Sequence, residues 1–193
     1  MSDIPETFSL ARYVAVSAPG GLALVQGLLN TRATGSGAPD LLDDCVTAQL
    51  WVTAGLREWD ERTGSTPQEI SLAGEELEAV RALRDRVRRF IAGESTGVGL
   101  AVPIMIIAEP DGTLRTAPSG AGIEWVESAV WGAVLMAQTL DTLPRLKLCR
   151  NAACGSAFYD RSKNNSGVWH DVHTCGNSAN LRASRARRKE LAG

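Results

Sequence analysis

The sequence predicts an α+β fold: a predominantly helical body with a small β-hairpin, plus a small C-terminal module ending in a basic helix. Three observations predict it. Apolar side chains recur at helical spacing through long segments of the first 142 residues, and one apolar stretch is broken by the turn-forming Pro110-Asp111-Gly112. Three of the four cysteines and both histidines fall within residues 149–175. The net charge of −2 conceals a division, with about −9 on residues 1–142 and about +7 on residues 143–193. Such a split marks two modules with those boundaries and directs the second towards a polyanion. A basic tail docked on an acidic body is the competing explanation.

A chain of 193 residues accommodates one domain, or a larger domain with a small appendage. No apolar run approaches the roughly 18 residues a membrane span needs; the most apolar stretch, Leu100 to Ala108, is short and contains Pro103. The opening MSDIPETFSLARYVAVSAPG carries Asp3 and Glu6 early and lacks a basic segment followed by an apolar core. The expectation is therefore a cytoplasmic protein without a membrane partner, whose thiols stay reduced.

Leu22 to Thr31 is apolar and suits helix slightly better than strand. Asp40 is placed to cap a helix running to about Trp51, with Leu41, Leu42, Cys45, Val46, Ala48 and Leu50 as its buried stripe and Cys45 as a core thiol. Ser65-Thr66-Pro67-Gln68-Glu69 combines a hydroxyl cap, an early proline and a first-turn carboxylate, predicting a helix from there to about Phe90. Ile70, Leu77, Val80, Leu83, Val87 and Phe90 form its apolar stripe; the interspersed charges from Glu75 to Arg89 read as a solvated face, with Arg84 to Arg89 as an alternative phosphate-binding patch. The Asp-Gly step within VPIMIIAEPDGTLRTAP predicts a β-hairpin. A long apolar helix follows, from about Ile123 to Leu140, placing Trp125, Trp131, Val134, Leu135 and Met136 in the core.

In the C-terminal module the soft ligands are spaced Cys149-x4-Cys154-x15-His170-x4-Cys175. Two pairs joined by a long loop can close a tetrahedron, and thiolate with imidazole suits zinc in a structural site. His173 competes with His170 for the fourth position; the spacing of the pairs favours His170. A segment of some 50 residues with so few large apolar side chains also needs a metal to fold by itself. No HExxH, P-loop or dinucleotide fingerprint occurs, so the expectation is a protein without enzymatic activity. After Cys175, Asn177 or Ser178 can cap a helix through ANLRASRARRKELA. Arg182, Arg185 and Lys189 fall near one face and Arg188 towards another, the candidate contacts to DNA phosphates.

The stretch LCRNAACGSAFYDRSKNNSGVWHDVHTCGNSANLRASRARRK resembles the CGNR-type zinc finger. The features that match its pattern are the cysteine pair 149/154, Phe158 with Asp160, the Ser/Asn run from Ser162 to Ser166, Trp169-His170, and Cys175-Gly176-Asn177-Ser178. Upstream, GLALVQGLLNTR resembles the start of the ABATE domain that usually precedes this finger. Residues 1–142 would then be an ABATE-like helical domain and residues 143–193 a CGNR-like zinc finger with its basic helix. The resemblance implies a bacterial, stress-induced transcription regulator in which the finger binds DNA and the body senses a small-molecule effector. Two departures stand out: His170 replaces the usual cysteine, and Ser178 replaces the arginine of the motif. Asn30, Thr31 and Arg32 are the candidate effector-binding residues, although a polar helix end explains them equally well. The alternative expectation is a zinc-stabilised interaction or oligomerisation module, such as a homodimer, without DNA binding.

Overall fold

Every residue of LALVQGLL is buried, and this segment forms helix α1 (Leu22–Leu29) at the centre of a computed structural model that describes residues 16–35, 37–72, 74–94, 99–179, 181 and 188. A helix apolar all round must be enclosed on every side. The chain achieves this by packing α1 against α2 (Cys45–Thr63), α3 (Glu75–Ile91) and α4 (Gly122–Thr139). A hairpin of β1 (Ile104–Ala108) and β2 (Leu114–Pro118) lies on α4, and a second antiparallel pair, β3 (Leu146–Leu148) with β4 (Ala157–Tyr159), packs against α3 and α1. The fold is thus α+β with a helical body, as the composition of the segments predicts.

Helix α2 starts four residues later than expected. Asp44 is its cap, accepting the Val46 and Thr47 amides at 2.9 Å each. Asp40 instead accepts the Leu42 amide at 2.9 Å and receives Arg84 at 2.7 Å. The later start rotates the buried stripe to Ala48, Trp51, Val52, Leu56 and Trp59, so Val46, Leu50 and Cys45 are exposed and Cys45 is not a core thiol. Leu41 and Leu42 are buried, but from the loop before the helix. Gly64, at φ +64°, ends α2 in the left-handed conformation that glycine adopts without a Cβ clash.

The segment expected to open the third helix is extended instead. Residues 65–72 run alongside α2, where Gln49 donates to the Ile70 carbonyl and accepts the Leu72 amide, both at 2.9 Å. This clasp satisfies the extended backbone and buries Ile70 and Leu72, so helix begins only at Glu75. Glu75, Glu76 and Glu78 then occupy its first turn and Arg88 and Arg89 its last, the arrangement the helix dipole favours.

The expected hairpin forms, with Ile104 opposite Pro118 and Ala108 opposite Leu114. Its turn is held by Asp111, whose carboxylate accepts the Thr113 amide at 2.9 Å and hydroxyl at 2.7 Å. Ser128 fastens the hairpin to α4, donating to the Pro103 carbonyl and accepting the Ser119 amide. On α4 itself Trp125 and Val134 are buried and Trp131 is partly so, whereas Leu135 and Met136 are exposed, in contrast to the core role expected of them. Trp125 meets Trp59 edge-to-face at 5.9 Å, joining α4 to α2.

One core serves both modules. Leu146 and Ala157, from the C-terminal strands, lie in the same cluster as the helical residues, with Leu148 and Tyr159 packed against it. The metal-containing module therefore does not replace a missing core; it borrows the body's.

Candidate metal centre

Two polar side chains on the buried face of α1 prepare the seat of the centre. Gln26 and Asn30 are four residues apart and so stack on one helical face, both fully buried. Asn30 donates to the Ala157 carbonyl at 2.9 Å and accepts the Ala157 amide at 2.8 Å, as a neighbouring strand would. Gln26 accepts the Ala18 amide at 2.7 Å and also reaches the Ala157 carbonyl at 3.4 Å. The free edge of β4 is thereby completed by a helix side chain.

From β3 the chain passes directly into a tight knuckle. Cys149 ends the strand, its amide bonded to the Ser156 carbonyl at 2.8 Å, and the Cys154 and Gly155 amides both return to the Asn151 carbonyl. Arg88 of α3 donates to the Gly155 carbonyl at 2.9 Å, setting a cation beside the knuckle. Gly35 faces it from the other side, where a Cβ would stand 1.8 Å from the Ala153 carbonyl oxygen. Only glycine lets the two backbones approach so closely.

The second pair arrives by a loop built around one carboxylate. Asp160 is buried and accepts Lys147 at 2.7 Å, the Ser162 amide at 2.9 Å and the Gly167 amide at 2.7 Å. Burial alone would raise its pKa, but the Lys147 ammonium and the Ser162 and Gly167 donors outweigh it and hold the carboxyl well below the usual range. Asp160→Ala should cost about 3 kcal/mol, because it deprives Lys147 of its counter-charge and two loop amides of their acceptor. Urea unfolding of the metal-loaded protein would check this. Since the folded pKa lies below the unfolded value, the stabilisation is complete above about pH 4 and is lost only as the pH falls through the lower folded value.

Asp171 then caps the last turn, accepting the His173 and Thr174 amides at 2.6 and 3.2 Å, and a single wide π turn (Val172–Gly176) delivers Cys175. The result brings Cys149, Cys154, His170 and Cys175 together, with one ligand atom of each within 4.8 Å of all the others. His170 Nδ1 lies 3.3 Å from Cys154 Sγ and 3.5 Å from Cys175 Sγ. Tetrahedral zinc with bonds of about 2.3 Å separates its ligands by about 3.8 Å, so the set fits that ion. His173 is exposed and stands outside the group.

A hydrogen bond from Cys149, helped by Ser156, draws the Cys154 thiol well below its usual range despite burial. Cys149 is pushed up by donating that same hydrogen bond, and by burial. Three thiolates and a neutral imidazole around a divalent ion leave a formal charge near −1. Asn151 answers part of it, donating to Cys175 Sγ at 3.3 Å. Asn151 also reaches Ser178 at 3.3 Å, and the Ser178 hydroxyl donates to the Cys175 carbonyl at 3.1 Å. The serine that stands in place of the motif arginine is thus a brace for the last ligand.

The remaining candidates fare differently. Thr31 donates to the Leu28 carbonyl and accepts Arg84, and Arg32 is exposed 3.5 Å from Asp85. Asn30, committed to β4, and Thr31 thus form a buried polar junction, with Arg32 on the surface beside it. Four arginines of α3 are engaged within the fold and do not form a solvated face: Arg81 donates to the Leu42 and Asp43 carbonyls, Arg84 is buried against Asp40, Arg86 pairs with Glu127 and Arg88 holds the knuckle, while Arg89 is exposed. Arg188 is helical and exposed, while Arg182, Arg185 and Lys189 lie outside the described residues. The Asn30–Ala157 junction was missed by sequence reasoning; its one signal was a Gln and an Asn at helical spacing in an otherwise apolar segment.

No curated protein matches the chain. Residues 145–188 match the family model of the CGNR zinc finger, which together with the clustered Cys3His set identifies the C-terminal module as a zinc-binding finger.

Proposed function

We propose that the chain is a DNA-binding transcriptional regulator in which zinc is structural, holding the finger so that its cations meet the phosphate backbone. The body, whose first helix resembles the ABATE domain, carries the effector-sensing role. The observation that supports this best is the distribution of finger cations. Arg145 and Lys147 are committed to the Asp160 loop, whereas Arg150, Arg161, Lys163 and Arg188 are exposed on the module's surface. Those four, with Arg182, Arg185 and Lys189, form a set suited to phosphates. The closed Cys3His set leaves no open ligand position, which fits a structural and not a catalytic zinc.

Binding of the zinc-loaded protein to mixed genomic DNA fragments should weaken steeply as salt rises, and Arg182→Ala/Arg185→Ala should reduce the slope of log affinity against log salt by about 2. Absence of binding even at low salt would sink the reading. A second reading, assembly through apolar contacts, is favoured by the hairpin, where Ile106 and Leu114 are 74% and 72% exposed. A stable dimer that ignores DNA would establish it instead.

A further inference from the structure

Between the C-terminal half of α3, helix α4 and the approach to β1 lies a cleft of about 680 Å³. Its walls are largely apolar: Phe90 and Trp131, edge-to-face at 5.4 Å, with Leu100 and Leu135. Phe90, Leu100 and Leu135 are all exposed, although each is a large apolar side chain. The polar groups at this cleft are chiefly the guanidinium groups of Arg86 and Arg89. Arg86 uses one nitrogen on Glu127, and Arg89 makes a single long bond of 3.4 Å to the Asp85 carbonyl. Each therefore retains donors. The wall is also incompletely satisfied, since Arg86 Nε and the Trp131 indole N–H are buried without a partner. A mostly apolar cavity of this size with a few convergent donors has the make-up of a small-molecule site.

We propose that this cleft binds a small amphipathic carboxylate, its apolar body against Phe90, Trp131 and Leu135 and its head on Arg86 and Arg89. Glu127 leaves Arg86 balanced, so the excess positive charge at the cleft comes from Arg89 and matches a single negative head. The inference deepens the sensing half of the reading above and rests on it for biological meaning. The binding itself needs no DNA, so the two can fail separately.

The test is calorimetric titration of the zinc-loaded full chain, without DNA, using octanoate and 1-naphthoate as probes and neutral 1-naphthamide as comparator. At least one acid should bind at one molecule per chain, with the amide about tenfold weaker. Arg89→Gln and Leu135→Glu change exposed residues and should keep the fold, verified by circular dichroism. Each should weaken the acid about tenfold, the first by removing a cation and the second by adding a like charge to the wall. Failure of both acids to saturate, or binding unchanged in both variants, would overturn the proposal. Loss of DNA binding with the acid still bound would leave it standing.

Discussion

Replacing Cys154 by alanine should take the purified protein from about one zinc per chain to nearly none, and should lower the unfolding midpoint of the whole chain by roughly 10 °C. The sequence alone leads to the view that such a change would loosen residues 149–175 and leave the body intact. The shared core changes that expectation. Leu146 and Ala157 pack among the helical side chains, and Asn30 pairs with the strand that follows the knuckle. When the knuckle opens, β3 and β4 lose their anchor and expose part of the body's core. A structural zinc site contributes on the order of 10 kcal/mol in isolated fingers, and a share of about 3–4 kcal/mol felt by the body gives the stated shift. Metal analysis and calorimetry on the same preparation would check both halves. Zinc retained at wild-type level would refute the ligand set, while zinc lost with an unchanged midpoint would show that the finger unfolds separately. His173→Ala is the control and should keep its metal, since that side chain stands outside the cluster.

The second large effect is at Asn30. Asn30→Leu keeps the volume but leaves the Ala157 amide and carbonyl without their partner in a fully buried place, which should cost about 3–4 kcal/mol. Gln26 contacts the same carbonyl at 3.4 Å and recovers only a part. Urea unfolding with zinc held in excess would measure the loss. A change below about 0.5 kcal/mol would mean that β4 is held by its apolar contacts alone. The variant should retain its zinc, because neither Asn30 nor Ala157 belongs to the Cys3His set; this separates it from Cys154→Ala.

How much of this was legible before folding depended on whether a signal was local. The four ligands were, because clustered cysteine and histidine have few uses in a chain otherwise so poor in both. The hairpin was, because Asp-Gly constrains a turn within two residues. Helix starts were not. Asp40 and Asp44 are equally good caps in sequence, and the choice was decided by Arg84, which claims the first of them from α3. Ser65-Thr66-Pro67 has every mark of a helix start, yet Gln49 of α2 offers those residues an extended alternative. Arg81 and Arg88 of α3 followed the period of a wet face and turned out to grip loop carbonyls 38 and 67 residues distant. Asn30 was illegible for the same reason, since its partner is 127 residues away. In each case the deciding contact came from a distant part of the chain, where propensity and period carry no information.

That distance has a consequence for how the protein is made. A chain synthesised from its N-terminus exposes α1 first, with Gln26 and Asn30 on an otherwise apolar helix and no strand yet to meet them. Asn30 cannot meet its partner, and Gln26 has only Val16 and Ala18, until Ala157 has left the ribosome. The strand bearing Ala157 in turn leads out of the knuckle that Cys175 helps to close. Contacts this remote in sequence form late and slowly. The nascent body must therefore wait, incompletely closed, for its last quarter. Zinc capture then becomes the closing step of maturation for the whole molecule, not an addition to a finished domain.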